Sequence, residues 1–257
     1  MKTEQIAAQL YTIRNYTTST ASFARSMKKL ADIGFKAVQV SGVGPNIDPK
    51  DIRKICDDNG LTICATHDSQ DKILNEPLSV IEKLDLYNCV HTAYPCPAPF
   101  PGVMIDYEST VDLALALEKS AKIFEEHGKV LSYHNHALEF SHVNGERILD
   151  VIYKYAPTLK AEIDTYWIQM GGCSPEGYIR KYADRQQIIH FKEFGILMDN
   201  QPTMLPVGSG NLNWEAIVAE AEAAKVEWFI IEQDNCHKCP FESLSDSFHY
   251  LNDRFCK

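Results

Sequence analysis

No stretch of this 257-residue chain approaches 18 uninterrupted apolar residues, which excludes a membrane-spanning helix. Positive charge is scarce. The 25 Lys and Arg are outnumbered by 35 Asp and Glu, for a net charge of -10. Phosphate binding along a nucleic acid needs a basic stripe, so nucleic acid is not expected as a partner. A small anionic substrate is not excluded, because it answers only to the local field. The opening MKTEQIAAQLYTIRN lacks the apolar run and small-residue cleavage site of a secretory signal, so a cytoplasmic protein is expected. No linker or low-complexity tract interrupts the chain, and no Gly-x-Gly-x-x-Gly turn follows the first strand-like run. Eight cysteines are present, but 257 residues can build a core without staples, so reduced thiols are expected. The CHKC run (236–239) has the spacing of a zinc or redox pair, yet no second pair follows it. Cys173 and Cys96 could approach it only through the fold, so structural use is the expectation.

What is there is a repeat of helix, short turn and strand. Phe23, Met27, Leu30 and Ile33 have helical spacing, Gly34 follows, and FKAVQV reads as a strand. Ile52, Ile55 and Cys56 lead to Gly60 and LTICATH. Leu113, Leu117, Ala121 and Phe124 lead to Gly128 and KVLSYHN. Glycine tolerates the left-handed backbone that ends a helix, which gives these three junctions a mechanism.

The pattern predicts eight strands, near 4–11, 36–41, 61–67, 88–94, 129–135, 159–165, 187–192 and 227–232. Helices are predicted near 20–33, 48–59, 77–87, 108–127, 146–155, 175–183, 213–224 and 241–253. Several strands are continuously apolar, as befits strands covered by helices. Eight βα units in about 250 residues make an α/β fold of the (β/α)₈ barrel type, a TIM barrel. An open doubly wound sheet is the alternative, but it usually needs fewer strands. One domain over 1–257 is expected.

Four of the predicted strands end in residues that can bind a metal: KVLSYHNH with His134, AEIDTYW with Asp164, IIHFKEF with His190 and FIIEQD with Glu232. Catalytic residues of such barrels sit where strands end and loops begin. Two imidazoles and two carboxylates suit one divalent ion of borderline hardness, with Mn²⁺ the first expectation and Co²⁺, Zn²⁺ or Mg²⁺ the alternatives.

The runs YHNHALEF (133–140), EIDTYW (162–167), IIHFKEF (188–194), PVGSGNLNW (206–214) and IIEQD (230–234) resemble the sugar phosphate isomerase/epimerase family. These are xylose isomerase-like barrels related to inosose dehydratase, hydroxypyruvate isomerase and the ketose 3-epimerases. AAQLYTIRN (7–15) is similar to the family's first strand and THDSQ (66–70) to its third, so the likeness runs through the whole chain.

The resemblance implies metal-assisted proton transfer beside a carbonyl of a small sugar, sugar phosphate or keto-sugar, giving isomerisation or epimerisation through an enediolate. A lyase or dehydratase acting on a keto-sugar or cyclitol is the alternative. It also implies a homo-oligomer, and that Glu232 both holds the metal and moves protons. His134 departs from the epimerase pattern, in which that position is Glu. His136 and Glu139 are the nearby candidates for the displaced base. An abasic-site endonuclease on the same barrel is disfavoured by the acidic charge, and a non-catalytic sugar binder by the intact ligand set.

Lys192 lies two positions after His190 and so shares its face. It is a candidate to hold a substrate oxygen, or to pair with Glu193 at the barrel rim. Tyr166 and Trp167 could stack on a sugar ring. His67, Gln9, Tyr11 and Arg14 end their strands and are candidates to contact hydroxyls or a phosphate. Gly208 and Gly210 could form a turn that offers backbone N–H groups to an anion.

Overall fold

The structure, a computed structural model, describes residues 1–95 and 106–257. Eight parallel strands close a barrel: β1 (Ile6–Gln9), β2 (Ala37–Val40), β3 (Thr62–His67), β4 (His91–Tyr94), β5 (Val130–His134), β6 (Lys160–Asp164), β7 (Gln186–Phe191) and β8 (Trp228–Ile231). Each strand pairs with the next in sequence, and β8 returns to β1. Helices Thr20–Ile33, Pro49–Asp58, Pro77–Tyr87, Tyr107–Glu126, Ile148–Tyr155, Pro175–Lys181, Trp214–Ala223 and Pro240–Phe255 follow the strand pattern that the sequence predicts. The three helix-ending glycines Gly34, Gly60 and Gly128 have φ of 126°, 66° and 67°. At Gly34 a side chain would also meet the Phe248 ring 2.7 Å from its Cβ.

Side chains alternate between two environments along each strand. The outward set, including Ile6, Val38, Leu131, Ile163, Ile189 and Phe229, packs beneath the helices. The inward set begins with a small apolar plug made by Ala7, Ala37, Cys64, Ala65, Ile188 and Ile230. Two residues further on, the same strands present Gln9, Gln39, His67, His190 and Glu232. Two further still stand Tyr11, Ser41, Lys192 and Asp234. The period of two thus stacks a buried polar layer on the plug, and an accessible polar layer above that.

Short elements that the sequence reading did not contain decorate the C-terminal rim. They are a 3₁₀ segment Leu10–Tyr16, helices Gln70–Asn75 and Thr165–Met170, and two hairpins. One hairpin pairs His142–Val143 with Glu146–Arg147, and the other pairs Glu193–Ile196 with Pro202–Leu205. No helix among the described residues is long and apolar enough to cross a membrane.

Candidate metal centre and active site

His134 ends β5, Asp164 ends β6, His190 lies within β7, and Glu232 directly follows β8. All four are buried, and one ligand atom from each lies within 4.8 Å of the others. Nδ1 of His190 is 2.8 Å from Glu232 Oε2, and the same nitrogen is 3.9 Å from Asp164 Oδ2. Nε2 of His134 is also 3.9 Å from Asp164 Oδ2. Asp164 is fixed from two sides: its backbone N–H donates to Asn135 Oδ1 at 3.0 Å, and its Oδ1 accepts the Trp167 N–H at 3.1 Å. The second contact caps helix Thr165–Met170, so the turn that follows the strand also orients the carboxylate.

The remaining oxygen, Asp164 Oδ2, is fully buried and accepts no hydrogen bond. Its neighbours are the Lys192 ammonium at 3.3 Å and the His134 and His190 nitrogens at 3.9 Å, so it points among the other potential ligands. The surroundings add to the case. Buried Glu162, Asp164 and Glu232 and the partly exposed Asp234 gather around two basic groups, His190 and Lys192, and the Lys192 ammonium contacts Asp164 at 3.3 Å, Glu232 at 3.0 Å and Asp234 at 2.8 Å. Excess buried negative charge beside two imidazoles fits a divalent cation.

A second group, His67, His134, Glu162 and His190, is equally compact. Its carboxylate is already engaged: Glu162 Oε1 accepts the Gln39 amide at 2.7 Å, and Oε2 lies 2.5 Å from His67 Nε2. The upper group offers two carboxylates where this one offers a single carboxylate, and is therefore the better position for a divalent cation. The sequence reading did not single out Glu162 or Gln39. Their signal was available, since both are polar residues on inward positions of otherwise apolar strands.

The local field sets the protonation of these groups. Burial and the neighbouring His190 push His134 well below the usual imidazole range. Burial, then Lys192, brings His136 down to about 4. Both rings are thus neutral near pH 7. For His190 burial acts downward, but Glu162 and Glu232 outweigh it and raise the ring to about 10. Burial likewise disfavours an ionised Glu232, yet Lys192 and His190 hold it well below the carboxylate range. Burial raises Asp164 to about 7, partly opposed by Lys192. Glu232, closer to the ammonium and bonded to His190, keeps the charge more firmly than Asp164 does.

Above this layer opens a cavity of about 450 Å³ lined by Tyr11, Arg14, Ser41, His67, Pro95, His134, His136, Lys192, Glu232, Asp234 and Asn235. His67, Tyr11, Arg14, His136 and Lys192 thus come together with the metal group. Trp167 stands just behind the wall, its ring 5.4 Å from that of His136 and 5.2 Å from Lys192 Nζ. Glu139 does not share the cavity. It is buried beside it, accepting the Tyr133 hydroxyl at 3.0 Å and the His136 N–H at 2.9 Å, and so braces the loop that carries His136.

Lys192 does not pair with Glu193, because successive residues point to opposite sides. Glu193 turns outward and accepts N–H bonds from Phe194, Gly208 and Leu212, and from the Trp214 indole. The Gly208 turn therefore does offer N–H groups to an anion, and that anion is the chain's own Glu193. Cys236 and Cys239 are unpaired, as are the other cysteines among the described residues; Cys96 lies outside them.

No curated protein matches the chain in sequence. Solved structures do match it in fold. A sugar phosphate isomerase/epimerase from Parabacteroides distasonis superposes with a TM-score of 0.80 at 19% identity, covering 99% of this chain and 100% of that one. A xylose isomerase-like TIM barrel protein from Mycobacterium smegmatis, in complex with magnesium, gives 0.75 at 13% identity over 98% and 97%. A probable 3-DHS dehydratase from Bacillus anthracis gives 0.73 at 14% identity over 99% and 100%. The family profile described as Xylose isomerase-like TIM barrel matches residues 27–251, and the chain belongs to that family.

Proposed function

We propose that this protein is a metal-dependent isomerase or epimerase of a small sugar, sugar phosphate or keto-sugar that works through an enediolate. The observation that carries the reading is the convergence of His134, Asp164, His190 and Glu232 beneath a polar cavity of about 450 Å³, with His134 and Glu232 in its lining. That volume suits a monosaccharide-sized ligand. These four residues would hold one divalent ion, Mn²⁺ by the mixed nitrogen and oxygen donor set. When bound, such an ion would polarise a substrate carbonyl and its neighbouring hydroxyl. The magnesium complex of the M. smegmatis barrel supports a divalent ion in this fold.

The chain's own groups supply the proton chemistry. Glu232, ionised beside Lys192, stands on the β8 side as a base. His136, neutral, lines the cavity from the β5 side. Taking the α-proton on one side and returning one on the other gives epimerisation, and return to the adjacent carbon gives isomerisation. Lys192, kept protonated by its three carboxylates, stabilises negative charge that develops on a substrate oxygen. His67, Tyr11 and Arg14 line the opposite wall and would hold hydroxyls.

Loss of a β-hydroxyl from the same enediolate would make the enzyme a dehydratase, a reading supported by the B. anthracis relative in fold. Incubation with ketoses and keto-sugars in D₂O, with and without Mn²⁺, decides between them by NMR. Deuterium at the α-carbon with every oxygen retained supports the isomerase or epimerase. Loss of a carbon-bound oxygen assigns the dehydratase. Full activity in metal-free protein would overturn both.

A further inference from the structure

The buried layer beneath the cavity contains one carboxylate facing three imidazoles. Glu162 is completely buried on β6, two residues before Asp164. Its Oε2 lies 2.5 Å from His67 Nε2 and 3.4 Å from His134 Nδ1, and its Oε1 lies 3.3 Å from His190 Nε2. Gln39 completes the layer. Its amide N–H donates to Glu162 Oε1 at 2.7 Å, while its Oε1 is 2.6 Å from His190 Nε2 and accepts from Gln9 at 3.0 Å. The amide orientation is self-consistent, since each Gln39 atom meets a partner of the opposite kind.

We infer that Glu162 is a positioning residue that fixes which ring nitrogen of His67 and of His134 carries the proton, and so which nitrogen of each is left as a free lone pair. An ionised carboxylate only accepts hydrogen bonds, so any ring nitrogen turned to it must be N–H. On His134 this assigns the proton to Nδ1 and leaves Nε2 toward Asp164. On His190 both nitrogens meet acceptors, Nε2 the Gln39 oxygen at 2.6 Å and Nδ1 the Glu232 carboxylate at 2.8 Å, so in the metal-free protein both carry protons and Glu162 selects no tautomer there. On His67 the proton goes to Nε2, and Nδ1 is left 3.5 Å from Ser41 Oγ at the cavity wall. One side chain on β6 thereby presets acceptors on β3 and β5. Its consequence for metal binding rests on the metal reading above, whereas its consequence for the ring tautomers does not. At His134 the 3.4 Å approach of Nδ1 to Glu162 is not a hydrogen bond and that buried nitrogen has no other partner, so charge alone orients the ring and it is the critical test.

The test has two arms. In the first, long-range ¹H–¹⁵N correlation of histidine-labelled, metal-free wild-type protein reads the tautomers near pH 7, with His→Gln variants for assignment. Nε2–H on His67 and Nδ1–H on His134 are expected; the opposite tautomer on both rings overturns the inference, whether or not the protein uses a metal. In the second, Co²⁺ is titrated into metal-free wild type and Glu162→Gln, with melting curves to verify that the variant is folded. Binding at least about 10-fold weaker, with an altered visible d–d spectrum, is expected, the usual scale for losing a group that orients a metal-bound histidine. Equal affinity and an unchanged spectrum would overturn the inference. A wild type that takes up no Co²⁺ would remove the metal reading of the function, and the tautomers would still decide the role of Glu162.

Discussion

Lys192 Nζ lies 3.0 Å from Glu232 Oε2, and both side chains are buried at the floor of the cavity. The same ammonium reaches Asp164 and Asp234, so one cation compensates three carboxylates. Removing one partner of a buried ion pair leaves the other charge uncompensated, at about 3–5 kcal/mol. Lys192→Met should therefore lower the stability of the metal-free protein by about that amount. Urea unfolding checks it, and a loss below about 1 kcal/mol would contradict the compensation argument.

On the proposed function Glu232 would combine two tasks, ligand and proton carrier, and Gln could perform neither well. Glu232→Gln should reduce turnover by roughly 10²–10⁴-fold, the range associated with a lost general base. Circular dichroism should show the fold intact. Retained turnover would move the proton chemistry to His136 and the β5 side.

A ligand that binds only the folded state stabilises it by mass action. At 100 times its Kd, Mn²⁺ should contribute about 2.7 kcal/mol. For a chain of this size that is a rise in Tm of roughly 5–10 °C. Chelation should reverse the rise, and His190→Ala should abolish it. Thermal scans with Mn²⁺ and with chelator make the comparison, and an equal shift in the variant would place the ion elsewhere.

Strand and helix positions were legible because each inward or helix-facing residue obeys a short period. The convergence of His134, Asp164, His190 and Glu232 could also be read, since all four occur where an apolar run stops. Glu162 was harder. It lies inside AEID, before the run stops, and its acidic side chain looks like an ordinary strand interruption until Asp164 fixes which face is inward. Gln39 in AVQV hides in the same way. The hairpin of Glu193–Ile196 and Pro202–Leu205 was not legible, because its base depends on Glu193 meeting N–H groups 15 to 21 positions away. His136 and Glu139 show a further limit. The sequence placed both near the site, but only the folded loop separates the ring at the cavity from the carboxylate behind it.

Glu139 supplies a pH-dependent term. Burial raises it from 4.5 to about 7, although Tyr133 and backbone N–H groups pull the other way. A carboxyl whose folded pKa is raised holds its proton more tightly in the native state than in the unfolded one. Its contribution is fully present below about pH 4.5 and is lost as pH rises through about 7. Glu139→Gln does not titrate. The stability of the variant relative to wild type should therefore increase between pH 4.5 and 7, by roughly 2–4 kcal/mol. Urea midpoints of both proteins across that range give the difference, and parallel curves would show that Glu139 stays ionised.

Glu193 makes the last case, and it concerns the glycine-containing loop whose N–H groups the sequence offers to an anion. The carboxylate is fully buried and accepts from Phe194 N–H at 3.0 Å, Gly208 N–H at 2.9 Å, Leu212 N–H at 3.1 Å and Trp214 Nε1–H at 2.5 Å. Those donors lie in and around PVGSGNLNW, so one side chain satisfies the turn from within. Glu193→Ala would strand them, and each unsatisfied buried donor costs about 1–3 kcal/mol, less than additively when they relax together. A total loss of roughly 3–5 kcal/mol is expected, with faster amide exchange at Gly208 and Leu212. Glu193→Gln, which retains one accepting oxygen, should lose less. If Glu193→Ala instead left exchange at those two amides unchanged, the loop would be held by its apolar contacts and not by the carboxylate.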